Sequence, residues 1–212
     1  MAPGGHGDYF GNEVNSISLN DDTPAWVEMF PRSSGAVVNE SGTPPPGSAA
    51  LARYMDGMPA SAHSYYGQQF IERHNRAIRI GGSYSSYGTG FQDIEGWNAT
   101  KAKGVNGWDT QYTYPPIFGT AGRMNTLPNG TCKHPMTEEI YLFAASGPCR
   151  RFTPSAAGPN GSAGSGGTWA NFGDGFPAGL DGFEAASAVD TQRGKVALLH
   201  GGYQSWTSPM FL

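Results

Sequence analysis

The sequence predicts an all-β fold of repeated four-stranded antiparallel units, and three observations lead to it. The first is composition. The 212 residues include 32 Gly and 16 Pro, yet aromatic residues still reach 12 % and are spread along the chain. A disordered tail lacks such core material, whereas short strands joined by tight turns need both turn formers and aromatics. The second is recurrence. Three short apolar runs end in two small residues, at Gly81-Gly82, Ala144-Ala145 and Gly201-Gly202, and a further pair, Gly4-Gly5, stands near the start. These pairs are about 77, 63 and 57 positions apart, within the range of internal repeats that build solenoids and propellers. The third is that Trp26, Trp108 and Trp169 follow the first three pairs at about 21, 26 and 24 positions, a spacing regular enough to belong to the repeat.

Each small pair ends a predicted hairpin. Residues 69–71 lead through the polar turn Arg73-His74-Asn75 into residues 76–80. Cys132-Lys133 leads through a turn at 135–138 into residues 140–143, and residues 185–189 lead through 190–194 into 195–199. Turn formers between short β-prone runs are the ordinary hairpin signal. A third strand follows each pair, at residues 13–19, 90–97 and 149–152, and then a fourth strand carrying the Trp. Residues 33–50 and 155–168, rich in Gly, Ser and Pro, read as loops inserted between strands. The unit is therefore a four-stranded antiparallel blade. The small pairs are expected to provide positive φ where the second strand ends, and the Trp rings to pack between adjacent blades.

The order of apolar second strand, Gly-Gly, aromatic third strand and Trp-bearing fourth strand resembles the kelch repeat. The chain as a whole resembles a stretch of a kelch-type β-propeller of the galactose oxidase-like architecture. Residues 4–14 (GGHGDYFGNEV) and 56–65 (DGMPASAHSY) are particularly similar to bacterial kelch proteins. The resemblance implies a propeller arc of about three blades' worth, an incomplete ring. Residues 1–32 would end one blade, 61–118 and 130–176 would each form a blade, and 183–212 would begin another. Exposed blade edges would pair with further blades or with another chain.

Charge and motifs exclude several functions. With 13 Lys and Arg against 17 Asp and Glu, the net charge is −4 and no basic stripe exists, so no nucleic-acid partner is expected. No 18-residue apolar run is present, so no membrane span is expected. The first residues show no signal peptide; an extracellular or periplasmic location is favoured if they lie inside a longer chain. Cys132 and Cys149 are compatible both with a disulfide in an oxidising compartment and with buried thiols. The Asn-x-Ser/Thr sequons at Asn39, Asn98, Asn129 and Asn160 are all expected in loops.

Candidate ligand-binding residues fall in two places. His6, Asp8, Tyr9 and Asn12 form a polar-aromatic group after the first Gly pair, suited to gripping sugar hydroxyls or, for Asp8 and Asn12, to satisfying the backbone of a bend. Arg53, Asp56 and His63 lie on the segment entering the first strand of the next blade, where they would face the channel or form a surface loop. No nucleophile, phosphate-loop or metal-ligand motif occurs, so neither a catalytic residue nor a cofactor is assigned. The expected function is a noncatalytic module binding a glycan or a protein surface through its loop face. The resemblance leaves two alternatives: a fragment of a galactose oxidase-like copper oxidase, or an intracellular protein-interaction scaffold.

Overall fold

The computed structural model of the chain describes residues 11–34, 53–54, 56–62, 64, 67–83, 90–119, 123–124, 128–144, 148–173 and 186–199. Within them the protein is all-β, with every strand pair antiparallel and no α-helix. Strands β1 (Val14–Ile17) and β2 (Trp26–Phe30) form a hairpin. Strands β3 (Gln68–Ile71), β4 (Arg76–Ser83), β5 (Gly90–Asn98) and β6 (Arg123–Met124) form a four-stranded sheet in chain order. Strands β7 (Pro128–Lys133), β8 (Ile140–Ala144), β9 (Cys149–Pro154) and β10 (Gly167–Gly173) form a second one, again in chain order. Strands β11 (Ala186–Asp190) and β12 (Lys195–Leu199) close the series as a hairpin.

Alternation along the strands decides how these layers stack. Ile78 and Ile80 of β4 and Ile94 of β5 point from the first sheet into one core with Ile140 and Leu142 of β8 and Phe152 of β9. Each such buried side chain contributes roughly 1.5–3 kcal/mol relative to an exposed one. The other face of the second sheet carries Cys132, Phe143 and Cys149, which pack on Val189 and Val196 of the β11–β12 hairpin. The sheets therefore pack face to face in chain order. Their first strands are also neighbours, β3 beside β7 and β7 beside β11, and Gln69 of β3 donates its side-chain N–H to Thr131 Oγ1 of β7 at 2.9 Å.

The three turns between first and second strands share one device. Each places a residue in the left-handed region just before the second strand: Asn75 at φ 50°, Glu138 at φ 58° and Gly194 at φ 62°. Asn and Gly adopt that region at little cost. Glu138 is held there by its carboxylate, which accepts from the Arg73 backbone N–H at 3.1 Å and from Arg73 Nε. The Gly pair of β4 also behaves as its composition requires. Gly81 and Gly82 sit at φ 59° and 116°, and the β4–β5 register jumps between Ile80 and Gly82, a β-bulge.

Several expectations need correction. The fourth strand of the first sheet is broken into pieces rather than being one Trp-bearing strand. Trp108 bridges Trp97, Tyr114 bridges Ile94, and only then does β6 pair with Gly90 and Phe91. Between these contact points Thr113, Tyr114 and Ile117 are buried, Ile117 N–H donates to Gln92 O at 3.0 Å, and the pairing with β5 reaches Met124. Trp169 meets its expectation, packing on the core between the sheets while its Nε1–H donates to Pro115 O at 3.0 Å. Trp26 does not: it is 71 % exposed. The hairpin β1–β2 is covered at its Val14–Phe30 end, so Phe30 makes the contact to Trp97, at 5.8 Å between centroids, and Trp26 stands at the open end opposite Ile17.

Among the sequons, Asn129 lies inside β7 and Asn98 ends β5, not in loops, while Asn160 is in a loop and Asn39 lies outside the described residues. Both cysteines are free and buried. They sit on β7 and β9 with β8 between them, roughly 10 Å apart by strand spacing and too far for a disulfide.

Candidate functional site

Asn12, Arg53 and Asp56 come together around one short segment. Asn12 Nδ2–H donates to Pro59 O and to Ser33 Oγ, both at 2.9 Å, while its Oδ1 accepts the Ser33 N–H at 2.7 Å. Arg53 forms a β-bridge with Pro59, and Asp56 closes the turn between them by accepting the Met58 N–H at 3.0 Å. Asn12 is buried and spends its amide pinning the segment, so its role here is structural. Asp56 is exposed and does ordinary turn work. His6, Asp8, Tyr9 and His63 lie outside the described residues.

Arg53 enters a buried ionic layer on the face of the first sheet opposite the apolar core. Its Nε donates to Glu95 Oε1 at 3.1 Å and its Nη2 to Glu95 Oε2, completing a bidentate pair. Its remaining N–H groups reach Gly57 O and Asp109 O, each at 2.8 Å. Arg79 lies beside the pair, with β4–β5 register placing it opposite Glu95, and donates to Ala60 O. Asp93 lies two residues from Glu95 on the same face; burial pushes its carboxyl above the usual range, against the pull of Gln111, Arg79 and Arg53. Burial likewise lowers the Arg79 pKa, opposed first by Glu95. A second pair, Arg76 with Asp109 at 2.9 Å, lies on the other face of the sheet, with Arg76 in line with Ile78 and Ile80 and the Asp109 carboxylate over Gly96 beside Tyr114. Two Arg against two carboxylates balance the charge of the inner layer, and Arg53 and Glu95 satisfy each other, while Arg79 Nε and Nη2 and Asp93 Oδ1 are buried with no hydrogen-bond partner among the described residues.

No loop motif marks this layer, because most of its residues are spread over strand interiors. Its signal was nevertheless present: in a chain with only 14 % charged residues, Arg79 stands between Ile78 and Ile80 in one strand run, and Asp93 and Glu95 stand on either side of Ile94 in the next. Charges at buried strand positions pair across the ladder.

The more open candidate lies between the second sheet and the β11–β12 hairpin. It is a cavity of about 410 Å³, inside the range of small-ligand pockets. Tyr141, Phe143 and Phe172 supply aromatic walls, Val196 an aliphatic one, and His134 and Lys195 stand at the hairpin turns. Tyr141 and Phe172 meet edge to face at 4.8 Å between centroids, and Phe172 remains 48 % exposed. The Tyr141 hydroxyl donates to Glu139 Oε2 at 3.2 Å, which fixes the ring; burial and that carboxylate push its pKa up. The sequence reading overlooked these residues because they come from four strands and two turns, which only the stacking brings together.

Comparison of the chain with protein-family models, with curated proteins and with solved structures returns no match. Among the described residues, no three His, Cys, Asp or Glu side chains are grouped as a metal ligand set. No helix among them is long and apolar enough to cross a membrane.

Proposed function

We propose that this chain is a noncatalytic binding module built from kelch-type propeller blades, and that it takes a glycan in the aromatic cavity between the second sheet and the β11–β12 hairpin. Face-to-face stacking of successive meanders, with first strands side by side, supports the blade reading, because radial repetition of four-stranded sheets produces both features. The observation that carries the functional reading is the cavity itself. Its walls are aromatic, its polar groups are few, and it opens at turns that join first to second strands. Aromatic faces stack on the C–H faces of sugar rings while a small number of polar groups fix orientation. The buried ionic layer is left to hold the scaffold.

Titration calorimetry of the intact protein against a saccharide panel tests this. A saturable saccharide signal is expected, weakened about tenfold or more by Phe172→Ala. Phe172 is half-exposed, so its removal should leave the fold intact. No signal with any saccharide, or a signal indifferent to Phe172→Ala, would place the ligand elsewhere; a protein partner captured at the same face would favour the scaffold reading instead.

A further inference from the structure

We infer that the ligand of the aromatic cavity is an acidic sugar, a pyranoside carrying a carboxylate, rather than a neutral one. This rests on the glycan reading above and follows from the polar groups that remain uncommitted at the cavity. His134 accepts the backbone N–H groups of Met136 and Thr137 on Nδ1, each at 3.2 Å. A neutral ring held in that way carries its proton on Nε2, so the edge left over is a donor. Lys195 is exposed and has no ion pair among the described residues. Its register partner Asp190 takes its hydrogen bonds from Arg193 Nη1 at 2.7 Å and from the N–H groups of Gln192 and Arg193, and Lys195 acts on it only through space, as the last of the influences that lower its carboxyl.

The acceptors nearby are already engaged. Glu139 accepts from Tyr141 Oη, Thr137 Oγ1 and Thr153 Oγ1 and sits 3.5 Å from Arg151 Nε. What the cavity offers a ligand is therefore three aromatic rings, Tyr141, Phe143 and Phe172, and two nitrogen donors. Sugar hydroxyls need donors and acceptors together, whereas a carboxylate needs only donors. A uronate-type ring satisfies both halves of the site, with its C–H face on Phe172 and Tyr141 and its carboxylate toward Lys195 and His134.

The experiment is paired calorimetric titration with methyl glucuronide and methyl glucoside, on the intact protein and on Lys195→Gln. The glucuronide is expected to bind at least about fivefold more tightly, the worth of one partly exposed charge pair. In Lys195→Gln the preference should vanish, the glucuronide affinity falling to that of the glucoside, with the thermal midpoint unchanged. Equal or tighter binding of the glucoside, or a preference that survives Lys195→Gln, overturns the acidic-sugar inference while leaving the glycan reading standing. Absence of binding by both sugars, together with silence across the saccharide panel, overturns the two together.

Discussion

Glu95 is 1 % exposed in the middle of β5, and its carboxylate is spent on Arg53. A buried ion pair of this kind returns little net stability, because desolvation of both charges offsets their attraction, but removing one partner strands the other. Glu95→Leu and Arg53→Met are each expected to cost about 3 kcal/mol or more in chemical denaturation. The double variant should be less destabilised than the sum of the two; strict additivity would show that the pair is not coupled. At this scale the sequence was partly legible. Arg53 stood out as a charged residue near a strand entrance, but its role as a guanidinium buried against Glu95 depended on a contact 42 residues away. Asn12 stood out for a polar side chain able to grip hydroxyls or satisfy the backbone of a bend, and its amide bonds Ser33 and Pro59, 21 and 47 residues away, which no local pattern marks.

Among the elements, the hairpins were the most legible part of the fold. Turn formers and β-prone runs act over a few residues, so β3–β4, β7–β8 and β11–β12 fall where the pattern put them. The fourth-strand position of the first sheet was not legible. Its interruption depends on where residues 108–124 can rejoin β5, and Gly96 shows how tight that approach is. A Cβ there would lie 2.5 Å from Asp109 Oδ2 and 2.7 Å from the Tyr114 ring. Turn residues also link successive sheets, through Arg73 and Glu138. Burial acts to raise the Glu138 carboxyl, but hydrogen bonds, first with the Glu72 carboxyl and then with the Arg73 guanidinium and backbone, win and hold it down at about 2.

Because the folded pKa is lowered, the contribution of Glu138 is fully present above the usual carboxylate range near 4.5 and is lost as pH falls toward 2. Arg73 is partly exposed, so screening limits the effect; Glu138→Gln should cost about 1 kcal/mol at neutral pH. The variant and the parent should converge as pH drops from about 4.5 to 2. A gap between them that stays constant across that interval would assign the loss to packing.

In the whole molecule, the period of small pairs and Trp residues was the strongest long-range signal in the chain, and it gave an all-β arrangement of antiparallel four-stranded units. The aromatic cavity was invisible at that level, since periodicity locates strands but not the space between stacked sheets. Trp26 shows the same limit: its place in the repeat was regular, yet its burial depended on which end of the hairpin the neighbouring sheet covers.

The central claim is that consecutive sheets stack face to face with their first strands side by side, because both the blade reading and the cavity follow from it. Zero-length carbodiimide coupling across the β3–β7 seam tests it most directly, because Lys133 Nζ at the end of β7 donates to Glu72 Oε2 just after β3. The folded protein would be treated, digested, and its cross-linked peptides read by mass spectrometry. The stacking predicts an amide between Lys133 and Glu72, absent when the protein is unfolded before treatment. No Lys133–Glu72 link in the folded protein, with other surface pairs coupled, would contradict it.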